Sequence, residues 1–172
     1  SGFVGTDTFT YRASDGTDQS NEATVTVIVN SAGGTETYTN TTKTNIIDRG
    51  ICTSTIVIGD NYSILDLNVK LNITHTRDSD LQVFLIGPDG TRIQLFANIG
   101  GTGQNFQNTI LDDEAATSIA NGTAPFDGTY KPMQSLSAFD GKLTKGTWTI
   151  EVRDTVKKMT GTLDSWSLII EH

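Results

Sequence analysis

Leu65-Asp66-Leu67-Asn68-Val69-Lys70-Leu71-Asn72-Ile73-Thr74 is the stretch that decides the fold class. Apolar residues alternate strictly with polar ones, and a period of two over ten residues means a half-buried strand. Downstream, Leu81 to Ile86 is apolar at almost every position, as a strand covered on both faces is. Gly87-Pro88-Asp89-Gly90 ends that run with turn chemistry, because proline presets φ and glycine accepts positive φ. Arg92 to Phe96 is then expected back as its hairpin partner. Further strands read at Thr53–Ile58, at Thr147–Val152 with Trp148, Ile150 and Val152 on one face, and at Leu163–Ile170 with Trp166, Leu168 and Ile170 together. No window carries sustained helical periodicity with caps. The expectation is an all-β chain, a jelly-roll β-sandwich with almost no helix.

Upstream, Thr8–Ala13, a turn at Asp15-Gly16 and Ala23–Val29 make one hairpin. A sandwich repeat of the immunoglobulin or cadherin kind needs about seven strands in ~100 residues, so residues 1–30 supply only two. Gly2-Phe3-Val4-Gly5-Thr6-Asp7-Thr8-Phe9-Thr10-Tyr11, with Ala13-Ser14-Asp15-Gly16, resembles the end of the cadherin-like tandem repeats of large bacterial surface and secreted proteins. The resemblance implies that 1–30 is the truncated C-terminal hairpin of such a repeat, cut from a longer modular protein. Residues 31–43 then form a linker, and 44–172 the main domain.

The chain of 172 residues has room for one ordinary domain plus a fragment. Its 20 Asp and Glu against 12 Lys and Arg give a net charge of −8, the wrong sign for a nucleic-acid partner or an anionic lipid surface. No apolar run approaches the ~20 residues that cross a bilayer, so membrane insertion is not expected. A monomer is. The single cysteine, Cys52, has neither a bridging partner nor zinc-ligand spacing, and is expected to pack as a small apolar residue.

Nucleophilic catalysis needs a base within reach, and only His75 and His172 exist. His75 sits where the long strand meets its turn, a structural position. There is no Gly-x-Ser-x-Gly elbow and no His-Glu-x-x-His helix. Gly100-Gly101-Thr102-Gly103-Gln104-Asn105 reads as a tight turn, since it lacks the final glycine of a phosphate loop. Trp148 and Trp166 are expected in the core, and Tyr62, Phe126 and Tyr130 at exposed contacts.

Between Ala97 and Thr147 lies a long Gly/Asp/Asn/Thr-rich segment with little strand signal, and a segment of that kind is usually functional or pinned. Asp112-Asp113-Glu114 is its densest acidic cluster. Calcium takes six to eight oxygens from carboxylates, carbonyls and water, which an irregular loop can supply; acidic loop residues are equally at home in solvent. The preferred ligands are Asp112 and Asp113, with a carbonyl of Gly100 or Gly101 and the Asn105 side chain. A second group, Asp78, Asp80, Asp140 and Asp154, lies at strand ends that could converge across one end of the sandwich. For Asp80 the preferred reading is a carboxylate that caps neighbouring backbone amides and fixes the turn before Leu81.

Motifs along 44–172 are Ile73-Thr74-His75-Thr76 with Asp80-Leu81, Gly87-Pro88-Asp89-Gly90-Thr91, Leu111-Asp112-Asp113-Glu114-Ala115-Ala116 and Ala124-Pro125-Phe126-Asp127-Gly128-Thr129-Tyr130. Phe139-Asp140-Gly141, Gly146-Thr147-Trp148, Val152 with Asp154, and Gly161-Thr162-Leu163 with Trp166-Ser167-Leu168 follow. In this order and spacing they resemble the P domain, or Homo B, of kexin- and furin-like proprotein convertases, in its bacterial form. Leu111 departs from the pattern where an aromatic residue is expected.

The resemblance implies a jelly roll without chemistry of its own. It would stabilise or regulate a protease domain in the same chain, either a subtilisin-like serine endopeptidase or a metalloprotease. It also implies secretion or display on a bacterial surface, and favours calcium as cofactor. Adhesion, or targeting of a protein or polysaccharide substrate by a large exported repeat protein, is the alternative.

Overall fold

The computed structural model describes residues 5–29 and 33–172, in two compact units, Ser1–Gly34 and Thr35–His172. In the first unit, β1 (Gly5–Tyr11) pairs antiparallel with β2 (Ala23–Val29), so the N-terminal hairpin forms as expected. Residues 1–4 and 30 of the expected N-terminal hairpin unit, and residues 31 and 32 of the expected linker, lie outside the described residues.

The second unit is a sandwich. Its strands are β3 (Thr35–Asn40), β4 (Thr44–Ile46), β5 (Ile51–Ile58), β6 (Asp66–His75), β7 (Leu81–Ile86), β8 (Arg92–Ala97), β9 (Phe106–Leu111), β10 (Gly128–Tyr130), β11 (Gly146–Asp154) and β12 (Gly161–Glu171). One sheet runs β10-β9-β6-β12-β3, with β4 also on β12, and the other runs β5-β11-β7-β8. Helix is confined to three short 3-10 turns, Asp78–Asp80, Ile119–Asn121 and Leu136–Phe139.

The alternation in β6 works as its sequence implies: Leu67, Val69, Leu71 and Ile73 are buried, while Asp66, Asn68, Lys70 and Asn72 are partly open. β6 pairs with β12 along its whole length, from Asp66 opposite Glu171 to His75 opposite Gly161. Trp148 and Trp166 are both buried in the core between the sheets, as is Cys52. The Trp166 indole N–H donates to Ser54 Oγ at 3.0 Å, tying β12 to β5 across the layers, and the Phe96 and Phe106 rings stack at 4.5 Å between β8 and β9. The expected hairpin turn forms: the Gly90 N–H donates to the Gly87 carbonyl, and Asp89 accepts from the Thr91 N–H and from Lys142 Nζ.

Three expectations need correction. Residues 35–40 are not linker, because β3 is an edge strand of the larger sheet, with Trp166 opposite Asn40 and Glu171 opposite Thr35; β4 starts at Thr44, where the main domain was expected to begin. The 97–147 segment contains β9, bonded to β6, and β10, parallel to β9. Its Phe-Gln-Asn-Thr-Ile-Leu does not alternate, because the pairing with β6 is irregular between Leu71 and Ile73 and Asn108 has φ of 48°. Phe126 is not exposed but buried, stacked on Phe106 at 4.6 Å, with Tyr130 edge-on at 6.1 Å. Tyr62 stacks on the His172 ring at 3.7 Å.

Candidate functional site

The register of β6 and β9 separates the candidate residues. Val69 lies opposite Leu111 and Ile73 opposite Phe106, so Asn105 sits at the His75 end of the sandwich and Asp112 at the Asp66 end. Six strand residues intervene, about 20 Å at ~3.3 Å each. Gly101 and Asn105 therefore cannot share an ion with Asp112 and Asp113. Asp140 likewise belongs to the Asp112 end, where it lines the same pocket, and is parted from Asp78, Asp80 and Asp154. Each expected ligand set is thus split, and its members regroup by end.

At the His75 end the polar groups are buried. His75 is 1% exposed; its backbone N–H donates to Asn105 Oδ1 at 3.0 Å, and its Nδ1 lies 2.8 Å from the Arg77 carbonyl oxygen. Its Nε2 lies 3.4 Å from Asp154 Oδ2, close enough for an ion pair but not aligned as a hydrogen bond. The other Asp154 oxygen accepts the Val156 N–H at 2.9 Å.

Asp80 does not cap backbone amides as the sequence suggested. Its Oδ1 meets Arg77 Nε and the Ser79 hydroxyl, both at 3.4 Å, and its backbone carbonyl accepts from Thr155. The 3-10 turn over Asp78–Asp80 aims the carboxylate sideways at those neighbours, leaving Oδ2 without a partner among the described residues.

Asp78 is fully buried, and neither carboxylate oxygen has a hydrogen-bond partner among the described residues. Burial pushes it up to about 6, against the weaker pull of the Asn105 N–H, which is not placed for a proper hydrogen bond, and of nearby His75. The glycine turn closes over it. Gly100 has φ of 80°, and a Cβ there would lie 2.9 Å from both Asp78 Cβ and the Phe126 ring. The Gly103 carbonyl accepts the Asp78 N–H at 2.9 Å.

At the opposite end, a pocket of about 390 Å³ is lined by Asp66, Asp112, Glu114, Asp140, Glu171 and Ser137, among others. None of these five carboxylates has an ion-pair partner among the described residues. Burial raises Asp66, and the charges of Asp112, Asp140 and Glu171 raise it further. Burial, then the Asp113 charge, raises Asp140, and a hydrogen bond shared with Asp112 raises Glu114.

Asp113, expected as a ligand, is otherwise engaged. Its carboxylate accepts the N–H groups of Leu136 (3.0 Å) and Ser137 (2.9 Å) and the Ser135 hydroxyl, anchoring the Leu136–Phe139 turn. Asp66 and Glu171 were not singled out from sequence. Each sits at a strand end, and only the pairing of β6 with β12 brings them face to face. Among the described residues, no three His, Cys, Asp or Glu side chains converge closely enough to hold a metal ion by themselves. The donor set of this pocket is nevertheless all oxygen, the set a hard cation such as calcium takes.

Comparison with known proteins bears on the sandwich and on little else. A transglutaminase-activating metalloprotease of Streptomyces mobaraensis is 33% identical over 144 residues, 81% of this chain and 16% of that protein. Leupeptin-inactivating enzyme 1 of Streptomyces exfoliatus is 29% identical over 100 residues, 58% of this chain and 17% of that protein. The chain thus spans about one sixth of the curated relatives it matches. Among solved structures, the Aeromonas sobria serine protease in complex with its chaperone superposes with a TM-score of 0.55 at 20% identity, covering 81% of this chain and 27% of that one. The same protease alone gives 0.54 at 19% identity, over 83% and 28%. The family model of the proprotein convertase P-domain matches residues 64–170, from just before β6 to the end of β12. The chain belongs to the proprotein convertase P-domain family.

Proposed function

We propose that this chain is a non-catalytic accessory module of a secreted bacterial protease, which stabilises or regulates a catalytic domain in the same polypeptide and binds calcium at its acidic end. The observation that carries the first part is one of proportion: the P-domain match fills the sandwich, while the chain spans about a sixth of the relatives, one of them a metalloprotease. The imidazole of His75 is buried, with Nδ1 on the Arg77 carbonyl, and that too supports an accessory role. No helix among the described residues is long and apolar enough to cross a membrane. The test is the rate of thermal inactivation of the parent protease with and without residues 35–172. Equal rates and equal specific activity would overturn the accessory role.

For calcium, Asp66, Asp112, Glu114, Asp140 and Glu171 would hold the ion, with water and loop carbonyls completing its shell. Burial raises Asp66 and Asp140 first and the neighbouring carboxylate charges raise them further; a bound cation would relieve that repulsion. Because the carboxylates are not already gathered on one point, binding falls in the weak range of extracellular modules, roughly 10⁻⁴–10⁻³ M. At 100 times its dissociation constant, calcium then adds about 2.7 kcal/mol to unfolding. Thermal midpoints in calcium and in chelator measure this, and identical values would rule it out.

A further inference from the structure

The two sheets of the sandwich have four lateral edges, and these are treated unequally. β8 is covered: the Met133 and Gln134 N–H groups donate to the Leu95 and Gln94 carbonyls, and Gln134 Oε1 accepts the Gln94 N–H. β10 is only three residues long and is continued by the bridge of Ser118 with Lys131. The other two edges, β3 and β5, lie side by side along one flank, with a shallow groove of about 580 Å³ between them. Asn40 Nδ2, from the end of β3, reaches the Thr55 carbonyl at 2.8 Å.

That one contact fixes the orientation of the β5 backbone. The Thr55 carbonyl points away from β11, and in a regular antiparallel ladder alternate residues point alike. The ladder from Ile58 opposite Gly146 to Ile51 opposite Arg153 has no bulge. Thr53, Thr55 and Val57 therefore turn their N–H groups outward, and none of the three amides has a partner among the described residues. Exposed edges are normally blunted by lysine, proline, a bulge or a cover. β5 has none of the first three: Ile51-Cys52-Thr53-Ser54-Thr55-Ile56-Val57-Ile58 carries no charge and no proline, and Val57 is 73% exposed.

We propose that the groove between β3 and β5 is a strand-acceptor site, filled by an uncharged extended segment of a polypeptide partner whose backbone pairs with β5. Backbone donors and acceptors at strand spacing define the occupant as a polypeptide in β conformation. Charge defines it further. In a chain of net charge −8, the groove is lined only by uncharged residues, threonines together with Tyr38, Asn40, Ile56 and Val57, so it offers a charged strand no partner and an uncharged one no penalty.

The experiment uses the whole 172-residue chain and an acetylated, amidated hexapeptide of alternating valine and threonine. Amide hydrogen exchange is followed residue by residue by NMR. The expected result is exchange slowed at least tenfold at Thr53, Thr55 and Val57 at saturation. Thr55→Pro, which removes an outward N–H at an edge position where proline is tolerated, abolishes the binding while leaving the thermal midpoint within about 2 °C. Val57→Lys, which restores an edge guard, weakens binding at least tenfold and controls for a misfolded proline variant. Protection elsewhere, or none, overturns the proposal. So does tighter binding of a peptide with lysine in place of threonine, which would make the attraction one of net charge. Dimerisation of the chain through these amides, seen by sedimentation, replaces the partner strand with a second copy and overturns it equally.

Discussion

Asp78 is a carboxylate with both oxygens buried and unpaired among the described residues, held up to about 6 chiefly by burial. A group whose folded value lies above its unfolded 3.8 binds its proton more tightly in the native state. It therefore adds stability as pH falls from about 6 towards 4, and loses it as pH rises through 6. The difference is on the order of 2–3 kcal/mol for about two pKa units. Asp78→Asn, measured by chemical denaturation, is expected to be more stable than the parent at pH 7, with the gap closing by pH 4; a gap that widens towards acid would contradict the assignment. Asp113, unlike Asp78, has its carboxylate hydrogen-bonded, to Ser135, Leu136 and Ser137. Asp113→Ala strands two N–H donors of a turn that carries buried Leu136 and Phe139. The expected cost is about 2–3 kcal/mol, a fall in midpoint of roughly 4–12 °C, in calcium and in chelator alike.

β6 and β12 form the longest pairing in the sandwich, and its start is set by a glycine. A Cβ on Gly161 would lie 2.3 Å from the Thr74 carbonyl oxygen and 2.5 Å from His75 Cδ2. Backbone on one side and a buried ring on the other leave no room to yield. Gly161→Ala is expected to cost about 2–3 kcal/mol through overpacking and to speed amide exchange at Thr74 and His75 before that at Val69 or Leu71. Uniform loosening of β6 would mean that the contact is not local. β5 shows the other side of element-level design. Its inward residues Cys52, Ser54, Ile56 and Ile58 are buried while its outward edge is bare, so the same strand anchors the core and offers pairing groups to a partner.

Charge acts on the molecule as a whole. The five carboxylates of the acidic end repel one another in a chain that already carries −8, and Asp112→Asn or Asp140→Asn is expected to raise the thermal midpoint slightly in chelator. The same variants should lose most of the increment that calcium gives the parent. Both signs together identify the pocket, since a substitution at the buried end, Asp78→Asn, should leave the calcium increment intact. Loss of the increment in Asp78→Asn, but not in Asp112→Asn, would move the ion to the other end.

The sequence by itself determined the all-β architecture, the N-terminal hairpin, the β6 alternation, the Gly87–Gly90 turn and the two core tryptophans, because each rests on a local period or a local backbone preference. β3 escaped it: Thr-Glu-Thr-Tyr-Thr-Asn is exposed at most positions and is a strand only because β12 pairs with it. The candidate residues were legible one at a time. Asp112 was marked by its acidic cluster, and Asp140, Asp78 and Asp154 by type and by position at a strand end, but which of them meet depends on the direction of β6 against β9 and β12. That antiparallel register carries Asn105 and Asp112 to opposite ends and sets Asp66 against Glu171. Long-range pairing alone decided this, because distance along the chain says nothing about which strand ends share a face of the sandwich.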